Sequence, residues 1–152
     1  MEVLSSEYVA GFIDGEGSFG IYREKGGDGF RHRISISNTY RPCLELIQKK
    51  YGGCLSSKQK LIKGVPHYCY ELHVRAKDQM KTLLKDVMPF LVVRKQQALV
   101  FDQSLNGELP EAHASIRLKA MKRSVNVTNL EETGLEYIET VTKASCSKAS
   151  QA

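Results

Sequence analysis

Tyr8-Val-Ala-Gly-Phe-Ile-Asp-Gly-Glu-Gly-Ser-Phe19 is the stretch on which the reading of this chain turns. Ser5 and Ser6 precede it as candidate helix N-caps, and Glu7 falls in the first turn, where a carboxylate suits the positive end of the helix dipole. Val9, Phe12 and Ile13 supply apolar faces, and Gly11, Gly15 and Gly17 then interrupt the pattern, so the helix is expected to stop near Asp14 or Gly15. Asp14 and Glu16 therefore lie at a helix C-terminus, the negative end of the dipole, on a frame of glycines. A local violation of this kind often marks a functional site, and carboxylates gathered with backbone carbonyls are the donors that Mg²⁺ prefers. The competing reading is a glycine-rich helix stop carrying two solvated acids.

Strand signals follow at once. Phe19 and Ile21 alternate with Gly20, Tyr22 and Glu24, Gly26-Gly27-Asp28-Gly29 marks a turn, and residues 30–37 alternate again. Ile34 and Ile36 share one face there, with Arg31, Arg33, Ser35 and Ser37 opposite. Residues 41–51 read as a helix with Pro42 in its first turn, closed by Gly52-Gly53. A second hairpin is expected from residues 54–61 and 68–74 around Gly64-Val65-Pro66, with Tyr70, Leu72 and Val74 on one face and Cys69, Glu71, His73 and Arg75 on the other. Further helices are expected over residues 77–87, 93–105, 111–122 and 128–141. The order predicts an α+β domain, an αββαββα core with one antiparallel sheet, helices on one of its faces and extra C-terminal helices. Residues 1–143 are expected to form this single domain and 144–152 a disordered tail.

Composition narrows the class without naming it. A chain of 152 residues fits one domain, and 41% hydrophobic with 26% charged residues excludes wholesale disorder and fibrous repeats. No apolar run approaches the ~18 residues of a membrane helix, and residues 1–6 lack the basic and apolar regions of a secretory signal. The expected setting is intracellular, a bacterial cytoplasm or an organelle (mitochondrion or chloroplast), with no membrane partner. Twenty-two Lys plus Arg against 17 Asp plus Glu gives +5, which permits a nucleic-acid partner without demanding one. Cys43, Cys54, Cys69 and Cys146 form no CxxC pair, so no zinc ribbon or redox motif is readable and free thiols are expected.

Val9-Ala10-Gly11-Phe12-Ile13-Asp14-Gly15-Glu16-Gly17 resembles the nine-residue signature of the LAGLIDADG homing endonucleases. The departures are Val for the first Leu, Phe for the second Leu, Gly for Ala and Glu for the second Asp. The helix-strand order, Ile36-Ser37-Asn38-Thr39, and the segment from Pro89-Phe90-Leu91 to Gln97-Ala98 extend the resemblance across roughly residues 5–105. The signature occurs once, and single-motif members of the family are homodimers. Ala10, Gly11, Ile13 and Asp14 are accordingly expected at a two-fold helix interface, where small residues allow close packing.

The resemblance implies site-specific, metal-dependent cleavage of both strands of a long, roughly palindromic double-stranded DNA site. Mg²⁺ is the expected ion, with Mn²⁺ or Ca²⁺ as substitutes for activity or binding. Glu16 matches the metal-ligating acid, with the Gly15 carbonyl beside it. Asn38, or alternatively Ser37, approximates the polar position that orders water. Arg94 matches the basic residue near the scissile phosphate, with Lys95 a possible substitute and Arg41 a second cation. Asp14 is expected to serve the motif's structure.

DNA recognition falls by alternation to Tyr22, Glu24, Arg31, Arg33, Ser35, Ser37, Ser56, Lys58, Lys60, Cys69, Glu71 and His73. Two strands of polar side chains fit the major groove, where each base pair shows its own donor and acceptor pattern. Lys49, Lys50, Lys119, Lys122, Arg117 and Arg123 are expected to make sequence-independent phosphate contacts. The alternative is an intron RNA maturase, with RNA as its partner, or a non-catalytic DNA-binding protein on the same fold.

Overall fold

The structure is a computed structural model, and it describes residues 4–124. The expected helix over residues 128–141 and the tail after residue 143 lie outside the described residues. Helix α1 (Ser6–Glu16) starts at Ser5, whose Oγ accepts a hydrogen bond from the Tyr8 N–H at 3.2 Å. It runs to Glu16, just past the expected stop near Asp14 or Gly15, and passes straight into strand β1 (Gly17–Arg23). Gly17 makes that junction possible, because a Cβ there would sit 2.6 Å from the Ile13 carbonyl oxygen.

Strand β2 (Phe30–Asn38) pairs antiparallel with β1 and leads into α2 (Arg41–Tyr51). Strands β3 (Cys54–Ile62) and β4 (Val65–Val74) form the second hairpin, and β4 also pairs with β2. The turn is tighter than the sequence suggests. Only Lys63 and Gly64 intervene, at φ +50° and +76°, the paired positive values of a two-residue hairpin turn. Pro66 therefore lies inside a strand, opposite Leu61. It is tolerated because β2 reaches only residues 70–74 of β4, leaving the other side of Pro66 without a ladder partner. The sheet order is β1-β2-β4-β3.

Helices α3 (Lys77–Val87), α4 (Lys95–Leu105) and α5 (Glu111–Ser124) complete the described chain, with a short 3₁₀ turn at Met88–Phe90. Val9, Ala10, Ile13, Leu44, Ile47, Leu83, Leu84, Ala98 and Phe101 from the helices close over Phe19, Ile21, Ile34, Ile36, Leu72 and Val74 of the sheet. The Phe19 and Phe101 rings meet at 5.4 Å. Helix α5 covers the outer edge of β1, where the Ser115 hydroxyl donates to the Ile21 carbonyl at 3.0 Å and satisfies a group that an edge strand would leave bare. The result is the expected α+β architecture: helices on one sheet face, the other face polar and open.

Candidate active site

Helix α1 divides its side chains sharply. Val9, Ala10 and Ile13 are fully buried within the subunit, whereas Tyr8, Gly11, Gly15 and Glu16 are exposed and Phe12 is half-buried. Two residues expected at a helix–helix interface, Ala10 and Ile13, are thus committed to this chain's own core. The open stripe is Tyr8, Gly11, Phe12 and Gly15, at i, i+3, i+4 and i+7. A Cβ built at Gly11 or Gly15 meets nothing within 4 Å, so neither glycine is needed for packing inside the subunit.

Asp14, the other expected interface residue, is a latch between helices. Its two carboxylate oxygens accept backbone N–H bonds from Val92 at 2.8 Å and from Arg94 at 2.9 Å. Arg94 is the N-cap position of α4 and provides no side-chain cap of its own, so Asp14 caps α4 from outside. The Arg94 side chain returns the contact, donating from Nε to the Ile13 carbonyl at 3.0 Å. A guanidinium is thereby held at the negative end of α1. This double tie brings Arg94 to the end of the motif from a segment 80 residues away in sequence.

Glu16 is left exposed at the last turn of α1 and takes part in no ion pair or hydrogen bond with the described residues. Among the described residues no three His, Cys, Asp or Glu side chains gather into a metal-binding cluster. What one subunit offers a hard cation is one free carboxylate beside the carbonyls of a helix C-terminus. Those donors fit Mg²⁺, which takes few protein oxygens and keeps several waters, but they make a partial site.

The remaining expected catalytic groups separate. Asn38 continues the core-facing row of Ile34 and Ile36, and its Oδ1 accepts the Tyr40 N–H at 2.7 Å, closing the turn into α2. Ser37, the other candidate, shares the polar face through its pairing with Glu71. Arg41 donates to Glu45 at 2.7 Å and lies over the Tyr70 ring at 5.8 Å, occupied by local partners. Lys95 is exposed as the first residue of α4.

Register confirms the shared polar face. Tyr22 pairs with Arg31, Ser35 with His73, Ser37 with Glu71, Ser56 with Glu71, and Lys58 with Cys69. Lys60 pairs with His67, which sequence alternation had not brought in. Within this face the side chains are unequally available. Ser35 is 7% exposed, and its hydroxyl meets His73 Nδ1 at 3.0 Å, so it supports the face from beneath. Glu24 lies just past the end of β1 and is ion-paired with Arg31. Lys58 binds Glu71; burial would raise that carboxyl's pKa, but Lys58, His73 and Arg33 together hold it below the usual range.

Tyr22, Gly20 and Arg33 form one unit. A Cβ at Gly20 would meet Tyr22 ring atoms at 2.4–2.6 Å, so the ring lies across the glycine. Arg33, the cross-strand partner of Gly20, stacks its guanidinium on that ring at 4.5 Å. Lys122 on α5 is pushed below the ordinary lysine range, first by desolvation and then by the positive charges of Arg94, Arg33 and Lys119, with Tyr22 opposing. The end of the motif and the polar face thus share one basic neighbourhood. Of the expected phosphate contacts on α2, Lys50 is instead tied to the Leu4 carbonyl at 2.8 Å.

The family model for LAGLIDADG endonucleases matches residues 9–92, more than half of the chain. The chain belongs to the LAGLIDADG endonuclease family. Among solved structures, it is similar to the archaeal intron-encoded homing endonuclease I-Vdi141I in complex with DNA, at 22% identity and a TM-score of 0.60 over 89% of this chain and 94% of that one. The homing endonuclease I-TnaI matches at 23% identity and a TM-score of 0.54 over 90% of this chain and 99% of its own. The LAGLIDADG enzyme I-GzeII, bound to its DNA target, matches at 18% identity and a TM-score of 0.60 over 78% of this chain but only 44% of its own. Among curated proteins none matches. No helix among the described residues of this LAGLIDADG chain is long and apolar enough to cross a membrane.

Proposed function

We propose that this chain is a homing endonuclease that cleaves both strands of a long, roughly palindromic DNA site as a homodimer, by divalent-metal-assisted hydrolysis. The observation that carries the reading is the division of labour in the motif. Asp14 and the Nε of Arg94 are spent on holding α1 to α4, while Glu16, two residues past Asp14, has no side-chain partner among the described residues and is exposed. A binding module has no use for an unpartnered acid beside DNA, where it repels phosphate.

Two further facts support the dimer. Among the described residues the motif offers one free carboxylate, and the apolar stripe Tyr8, Gly11, Phe12, Gly15 stands uncovered along the motif helix. Packing that stripe on a second copy across a two-fold axis would bring two Glu16 carboxylates together.

Glu16 and the Gly15 carbonyl would hold the cation, Mg²⁺ or its substitutes Mn²⁺ and Ca²⁺; the related I-CvuI was solved with Mg in one case and Ca in another. Bound there, it would supply Lewis-acid polarisation of the scissile phosphate and a more acidic water. The chain's own residues do the rest. Arg94, fixed through Nε, keeps its remaining donors for charge that builds on the phosphate. Ser37 is placed to hydrogen-bond water at the polar face, and Lys95 is an exposed cation beside Arg94. Tyr22, Arg33, Lys58, Lys60, Cys69 and Glu71 present donors and acceptors to a major groove.

Glu16→Gln tests this directly. It removes a negative charge while keeping shape, so cleavage should be abolished with DNA affinity retained, and EDTA should reproduce the loss on the wild-type protein. Joint loss of binding and cleavage would assign Glu16 to structure, and cleavage surviving chelation would refute the metal-assisted reaction.

A further inference from the structure

Strand β4 ends at Val74, paired with Ile34, while β2 runs on through Arg33, His32, Arg31 and Phe30 with no strand on that side. The chain turns away there into α3, and the gap is a cavity of about 710 Å³ at the end of the sheet. Arg31, His32 and Arg33 line one wall, Arg75 and Lys77 another, and Glu111 closes the far side.

The charge balance of this cavity is uneven. Arg31 is neutralised by Glu24. Arg33 and Arg75 occupy the next register position beyond the Ile34–Val74 pair, and among the described residues neither forms an ion pair with a carboxylate, although Arg33 is close enough to Glu71 to help lower its pKa. Two cationic residues lining one cavity raise its potential and favour an anion inside it. Lys77, in no ion pair among the described residues, adds a third cation, and Glu111 is the one carboxylate among the described lining residues. Two independent features point the same way. The Arg33 Nε is buried without a hydrogen-bond partner, a condition that costs free energy unless a ligand or water relieves it. Helix α3 has Ala76 at its N-cap and no side-chain cap, so its first-turn N–H groups, partly offset by Asp78, add positive potential at the cavity's rim.

We infer that this cavity, through Arg33, Arg75 and Lys77, seats one phosphodiester phosphate of the DNA backbone where the duplex leaves the polar face. The inference rests on the DNA-binding reading and extends it to a sequence-independent clamp. Tyr22 and Arg33 belong both to the face and to the cavity wall, so a duplex lying on the face passes its mouth. The volume exceeds a bare phosphate and leaves room for the adjoining sugar.

The test is the salt dependence of binding to a fluorescein-labelled duplex of scrambled sequence, read by anisotropy. Seating one phosphate contributes about 0.9 to the slope of log K against log salt. The double variant Arg75→Gln/Lys77→Gln, altered in both subunits of the homodimer, should lose about twice that amount, about 1.8, which makes it about 12-fold less sensitive between 50 and 200 mM salt. Arg75→Lys, which keeps the charge, should retain the slope, and so should Lys85→Gln at the opposite end of α3.

An unchanged slope in the double variant, or an equal loss in Lys85→Gln, would overturn the assignment. Thermal stabilisation of the DNA-free protein by inorganic phosphate, lost in the double variant while the DNA slope is unchanged, would make this a free-anion site instead. Failure of the wild-type protein to bind any duplex would remove the DNA-binding reading and this inference together, whereas failure of the double variant alone to respond removes only the inference.

Discussion

Asp14 lies one residue before the motif's Gly15-Glu16 pair, and a family comparison alone would place both acids in the chemistry. The geometry separates them, and Asp14→Asn puts that separation to the test. The wild-type carboxylate accepts two backbone N–H bonds, at 2.8 and 2.9 Å, and caps α4 across the helix junction. Asparagine keeps one acceptor oxygen and turns an NH₂ toward the second donor. Losing one bond to a charged acceptor is worth about 1.5–3 kcal/mol, and loss of an N-cap side chain about 0.5–2 kcal/mol. The site is partly open to solvent, so the lower half of that range applies, and we expect a loss of about 1.5–2 kcal/mol. For a chain of this length that lowers Tm by about 3–8 °C. Urea unfolding at fixed protein concentration should show a lower midpoint with an unchanged m-value. A variant as stable as the wild type but unable to cleave DNA would refute the latch and return Asp14 to the chemistry.

Two other expectations follow from single side chains. A Cβ at Gly11 meets nothing within 4 Å, so the isolated fold of Gly11→Leu should hold, helped slightly by better helix propensity, while sedimentation equilibrium should show loss of the dimer; a dimer of wild-type strength would move the interface off α1. His32, hydrogen-bonded to Ser104 at 2.9 Å, is pushed below its ordinary pKa of 6.5 by burial, with Lys77 adding and Glu111 opposing. The unfolded chain then binds more protons below pH 6.5, so the stability from neutral His32 is complete above that pH and is lost on acidification through the folded pKa. His32→Gln should flatten the fall in urea midpoint between pH 7.5 and 5.5, and an identical fall in both proteins would contradict this.

Periodicity carried most of the fold. The alternation of Ile34 and Ile36 against Arg33, Ser35 and Ser37 fixed which side of β2 is polar, and the structure keeps that register. Where reading along the chain failed, the cause was non-local. Helix α1 is apolar on two faces, and only the docking of α3, the 3₁₀ turn and the sheet decides that Val9, Ala10 and Ile13 turn inward while Tyr8 and Phe12 stay outside. Asn38 reads as part of a polar strand end, but strict alternation puts it on the row of Ile34 and Ile36, and the turn into α2 claims its side chain. Ser35 is polar and correctly placed, yet its partner His73 comes from another strand and takes its hydroxyl. Pro66 suggested a wide turn because its tolerance depends on how far β2 reaches, which the hairpin sequence does not contain. The tie of Arg94 to Ile13 and Asp14 links residues about 80 positions apart and was not read from the sequence; the family resemblance pointed to Arg94 only as a cation near the scissile phosphate.

The most direct test of the central claim is cleavage of a randomised double-stranded DNA library by the purified protein in Mg²⁺, with cut ends read by sequencing. The account predicts one enriched, long and roughly palindromic site, cut on both strands and lost in Glu16→Gln. A folded, dimeric preparation that cuts nothing would contradict the endonuclease reading, and cleavage of a site without two-fold symmetry would contradict the homodimer.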